Sequence, residues 1–120
     1  GNIIFCGRVP VKTLLEYYSK AKVHVLPSWH ETCGVSSLEA AAMGCNIVIT
    51  DKGFTREYFG DEAFYCDPGD PGSILQAVEK AAQSNCQNKL QQNVLRQYTW
   101  QHAASDTLDA YRKIISICEN

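Results

Sequence analysis

Apolar residues in this chain follow two periodicities that alternate along its first half. Residues 3–7 (IIFCG), 23–27 (VHVLP), 46–50 (NIVIT) and 63–67 (AFYCD) are short apolar runs, each closed by glycine, proline or a polar residue. Runs of this length bounded by turn formers predict strands. Between them the apolar spacing changes to three and four: Leu14, Leu15, Tyr18 and Ala21 follow Pro10, and Leu38, Ala41 and Ala42 follow the second run. That spacing predicts helices, with a brief turn over residues 54–60. Strands alternating with helices pair in parallel through crossovers. The expected fold class is therefore α/β, a Rossmann-like parallel sheet of about four strands with flanking helices.

From Pro68 onward the pattern is helical throughout. Asp70-Pro71 supplies an N-cap followed by proline at the first helical position, and Ile74, Leu75, Val78, Ala81 and Ala82 continue as an apolar stripe. A polar, glutamine-rich helix is predicted from about Asn85 to Tyr98. A last helix starts near Thr99 as its cap, with Ala103, Leu108, Tyr111, Ile114 and Ile115 as its apolar positions. No repeat or low-complexity linker interrupts residues 1–120, which read as one domain. Gly1 stands directly before a strand-like run and reads as a boundary cut close to structured sequence.

Composition narrows the class of partner. A net charge of -2 with 20% charged residues leaves no electrostatic footprint for nucleic acid or an anionic membrane. Six cysteines (Cys6, Cys33, Cys45, Cys66, Cys86, Cys118) are scattered without a CxxC pair, mostly in apolar segments. Buried free thiols in a reducing, cytoplasmic setting account for that better than a disulfide framework. No run approaches the ~18 apolar residues that span a bilayer. His24, His30 and His102 show no ligand spacing, so no metal site is expected.

The chemistry concentrates in residues 29–44 (WHETCGVSSLEAAAMG), where Glu31 and Glu39 flank Gly34 just as a helix begins. Ser36-Ser37-Leu38-Glu39 fits an S-x-x-E capping box, which by itself accounts for Glu39. Glu31 precedes the turn and has no such explanation. In open parallel sheets, ligands bind beyond the carboxyl ends of strands, where helix N-termini offer free N–H groups. Amides near Gly34, Val35 and Ser36 are thus placed to receive a phosphate or a hydroxyl, and ionised carboxylates beside them suit vicinal hydroxyls. The ligand so described carries phosphate in the middle and polyol on both sides, as a nucleotide sugar does.

Residues 27–49 (PSWHETCGVSSLEAAAMGCNIVI) resemble the E-x7-E signature of the "group 1" retaining glycosyltransferases of GT-B architecture, matching at Pro27, Ser28, Glu31, Gly34, Leu38, Glu39, Ala40, Ala42, Gly44 and Val48. Residues 3–10 with 14–28, and 98–104 with Tyr111, resemble further segments of the same family, so nearly the whole chain is covered. The resemblance implies the second half of a C-terminal donor-binding domain. It further implies that Glu31 contacts the transferred sugar and Glu39 the ribose. Ser28, Thr32, Cys33, Gly34 and Val35 would line the donor, largely through backbone, and the backbone around Gly7, Arg8 and Val9 would border the base. A nucleoside-diphosphate sugar is the implied substrate, with no metal or cofactor.

Two positions depart from the pattern. Cys33 replaces a common aromatic, and Asn46 stands where proline is usual and reads as a loop detail. A nucleophilic role for Cys33 lacks an assigned base. The resemblance implies further parallel strands, a diphosphate-binding arginine and lysine, and an acceptor-binding N-terminal domain, all outside this sequence. Lys52 and Arg56 read as solvated surface charge rather than substitutes for that pair. The chain alone is therefore expected to lack transferase activity. Residues 3–7 either close up against 23–27 or leave edges that recruit a second copy, and a poorly covered apolar sheet face favours self-association. Two other readings remain open: a non-catalytic α/β module whose glutamates are caps, and a sugar-nucleotide epimerase.

Overall fold

A computed structural model describes residues 2–85 and 88–118. Cys86 and Gln87, near the start of the predicted glutamine-rich helix, lie outside the described residues, and Asn85 is not helical. The elements run α1 (Val11–Lys20), β1 (Val23–Leu26), α2 (Val35–Ala42), β2 (Asn46–Thr50), α3 (Thr55–Phe59), β3 (Phe64–Cys66), α4 (Pro71–Gln83), α5 (Asn88–Gln97) and α6 (Trp100–Cys118). Three parallel strands form the sheet in the order β1-β2-β3, with Val23 opposite Asn46 and Val48 opposite Phe64. Alternation of strand and helix forces this arrangement, since parallel neighbours need a crossover.

β2 is the centre, buried at all five positions. Its side chains alternate between two cores, as the pleat requires. Ile47 and Ile49 join Tyr18, Ala40, Ala41, Phe59, Leu90 and Val94 on one face, while Val48 joins Cys66, Ala77 and Ala81 under α4 on the other. Each buried Val, Ile, Leu or Phe side chain among them contributes about 1.5–3 kcal/mol by leaving water. The small residues Ala40 and Ala41 let α2 lie close to β2 and α5, and Gln91 of α5 donates through Nε2 to the Ala42 carbonyl at 2.9 Å, satisfying the end of α2.

Several sequence expectations are met locally. Asp70 accepts from the Gly72 amide at 2.8 Å and caps α4 behind Pro71. Thr99 Oγ1 accepts from the His102 amide at 3.2 Å at the start of α6.

Other expectations are corrected. Residues 3–7 form no strand: Ile3, Ile4 and Phe5 are 80–94% exposed. A strand requires a neighbour for its backbone groups, and this segment has none among the described residues. The sheet therefore has three strands rather than about four, and the segment does not close up against β1. Asn46 is no loop detail. It opens β2 fully buried, and its Nδ2 donates to the carbonyls of Ala81 at 2.8 Å and Ser84 at 3.3 Å, tying β2 to the end of α4. The cysteines are only partly buried: Cys45 and Cys66 are inside, Cys33 is half-buried, and Cys6 and Cys118 are exposed. Uncovered apolar surface lies on α6 and residues 3–5 rather than over β2. α6 buries none of its residues.

Candidate functional site

β1 and β2 end side by side, and the turns that leave them are stitched together. The Glu31 amide donates to the Lys52 carbonyl at 3.1 Å, and the Phe54 amide donates to the Glu31 carbonyl at 3.0 Å. Glu31 and Gly53 thereby form a parallel bridge beyond the strand ends. Gly53 makes this approach possible: its φ is 99°, and a Cβ there would sit 1.9 Å from the Glu31 carbonyl oxygen. The turn holding Gly53 is itself fixed by Thr50, whose Oγ1 accepts from the Lys52 amide at 3.1 Å and whose carbonyl accepts from Thr55 Oγ1 at 2.8 Å.

The Glu31 side chain is half-buried, and Ser28 Oγ donates to its Oε1 at 2.9 Å. That bond orients the carboxylate and leaves the second oxygen as an acceptor. Three residues later Gly34 caps α2 with φ 64°, and a Cβ there would meet Ile49 Cδ1 at 3.0 Å. No side chain caps this helix. The expected capping box is absent because the helix begins earlier than the S-x-x-E pattern suggests. Ser36 and Glu39 both lie inside α2, and Glu39 is exposed. Below the cap, the buried Ser37 Oγ has no hydrogen-bond partner among the described residues.

Ser28, Glu31, Thr32, Cys33 and Gly34 are thus brought together in the loop that joins β1 to α2, with Val35 opening that helix and Glu39 one turn further along it. Val35 also lines a cavity of about 670 Å³ with Leu38, Tyr58, Tyr98 and Trp100. Gly7, Arg8 and Val9 are not gathered with them by any described hydrogen bond. Gly7 has φ 59° and nothing within 4 Å of its Cβ position, Arg8 is exposed and Val9 half-buried. Of the two basic residues after β2, Lys52 pairs with the exposed Asp51 at 3.6 Å, and Arg56 stacks over the Tyr65 ring at 4.0 Å. Sequence reasoning missed Gly53 and the pair Thr50 and Thr55. A lone glycine in a turn was the one signal available for the first.

A sequence model of the family described as glycosyl transferases group 1 matches residues 1–99. An uncharacterized glycosyltransferase of Methanocaldococcus jannaschii is 29% identical over 118 residues, covering 92% of this chain and 30% of that protein. O-antigen chain mannosyltransferase B of Escherichia coli is 27% identical over 116 residues, covering 93% of this chain and 30% of that protein. The structure of sucrose-phosphate synthase from Thermosynechococcus elongatus matches with a TM-score of 0.81 at 24% identity, over 95% of this chain and 30% of that one, a likeness of fold. The chain thus spans about 30% of the length of these relatives. No described helix is long and apolar enough to cross a membrane. With the greater part of its length matched, the chain belongs to the group 1 glycosyl transferases, within the GT-B superfamily.

Proposed function

We propose that this chain is the donor-binding part of a glycosyltransferase that moves a hexose from a nucleoside-diphosphate sugar to an acceptor hydroxyl with retention. The observation that carries the reading is the fixed carboxylate of Glu31, oriented by Ser28 and held at the strand ends three residues before the bare N-terminus of α2. Glu31 accepts hydroxyls of the donor sugar. The amides of Cys33, Gly34 and Val35 meet the diphosphate, which the positive end of the helix favours. Glu39, free of any capping duty, accepts the ribose hydroxyls, and the backbone around Gly7, Arg8 and Val9 borders the base.

In the transfer, the bond from the anomeric carbon to the diphosphate oxygen breaks and a bond to the acceptor oxygen forms on the same face. The acceptor proton leaves with the diphosphate. Amide hydrogens aimed at the departing charge lower the barrier. The nucleotide sugar is a substrate, and the reaction uses no metal or further cofactor. The chain alone binds donor without turning it over, because Lys52 and Arg56 are engaged elsewhere and an acceptor domain belongs to the longer protein. Polysaccharide assembly in the cytoplasm fits the free thiols and the character of the relatives. The uncovered stripe of α6 pairs with a second copy when the chain is alone.

Calorimetric titration of the chain with UDP-, GDP- and ADP-sugars tests the site. Glu31→Gln is expected to weaken binding at least tenfold, the cost of a charge-assisted hydrogen bond of about 1.5–3 kcal/mol, with the thermal midpoint nearly unchanged. Unaltered affinity in that variant rejects the assignment.

A further inference from the structure

Trp29 stands in the loop after β1, two positions before Glu31, and is 74% exposed. It is nevertheless seated. Its ring edge rests on Gly69 in the loop after β3, where a Cβ would lie 3.1 Å from Trp29 Cη2. A Cβ at position 69 would make the indole edge give by a few tenths of an ångström. Beside the ring, Asp67 Oδ1 accepts from the Gly69 amide at 3.0 Å, so the carboxylate is held by the main chain that supports the indole. An open aromatic face and an oriented acceptor therefore converge on Gly69, at the same carboxyl end of the sheet as Glu31.

A pyranose ring presents the complement of this pair, a face of C–H groups and a rim of hydroxyl donors. Apolar C–H groups cover an indole face, and a carboxylate takes the O–H groups at the rim. We propose that Trp29 and Asp67 form a carbohydrate subsite for one ring of a saccharide acceptor. Its part in transfer rests on the reading of Glu31 as the donor-sugar residue, whereas its affinity for saccharide does not. A phosphate-bearing ligand is disfavoured by the exposed Asp67 carboxylate beside the ring.

Trp100→Phe leaves Trp29 as the sole tryptophan of the chain. In that background, maltose and methyl α-mannopyranoside are expected to change the emission of Trp29 saturably, with dissociation constants on the order of millimolar. Asp67→Asn weakens the response about tenfold, as loss of a charge-assisted acceptor predicts. Gly69→Ala shifts the ring by a few tenths of an ångström and weakens the response by a smaller factor, with the circular dichroism spectrum unchanged. An absent response to both saccharides, or one that survives both substitutions, overturns the subsite. Donor binding is scored separately by calorimetry with UDP-glucose and GDP-mannose against Glu31→Gln. A saturable Trp29 response without donor binding would remove the donor reading and keep the subsite.

Discussion

Gly53 decides where Glu31 can stand. Its positive φ and the 1.9 Å separation between its Cβ position and the Glu31 carbonyl leave no room for any side chain. Gly53→Ala combines a strained backbone, about 1–3 kcal/mol, with a clash that must part the two turns. Denaturant unfolding is expected to show a loss of about 2–4 kcal/mol, at the upper end of single-substitution effects, and a loss below ~0.5 kcal/mol would contradict the geometry. Glu31 itself was legible in the sequence, because an acid just past a predicted strand had no structural excuse. Gly53 was not, since its requirement is set by a residue distant along the chain. Asn46 misled for a related reason: its value lies in the carbonyls of Ala81 and Ser84, which no local pattern announces.

Among the elements, α4 and α6 begin where their capping residues place them, because Asp70 and Thr99 act through neighbours two and three positions on. α2 begins earlier than its serines suggest, since a left-handed glycine ended the turn first. Residues 3–7 carry a strand pattern without a strand, because pairing depends on a partner and not on pattern alone. β1 holds a further consequence. His24 packs edge-on to Tyr18 of α1, with ring centroids 5.5 Å apart, and its Nε2 is buried without a described hydrogen-bond partner. Burial pushes this imidazole below its ordinary value of 6.5. The unfolded chain therefore takes up a proton first as pH falls, so stability is complete above about pH 6.5 and declines below it. Urea midpoints measured from pH 7.5 to 5 are expected to fall in the parent and to fall less in His24→Leu. Equal slopes would show that His24 is not the group responsible.

The molecule as a whole is elongated, 65 × 31 × 28 Å, with a radius of gyration of 17.1 Å. A compact chain of this length has a radius near 13–14 Å. The excess is α6, whose Trp100, Leu108, Tyr111 and Ile115 are 47–89% exposed. Asp106 and Asp109 precede Tyr111 and Arg112 and Lys113 follow it, so two copies crossing antiparallel at Tyr111 set acid against base. Light scattering should report a mass rising with concentration, abolished by Leu108→Glu with Ile115→Glu. A monomer at high concentration would refute the pairing. At the strand ends, the bridge between Glu31 and Gly53 makes the acid's main chain an extension of the sheet. An incoming ligand meets a loop that is ordered beforehand, so little conformational entropy is lost there on binding and discrimination between sugars falls to the side chains around it.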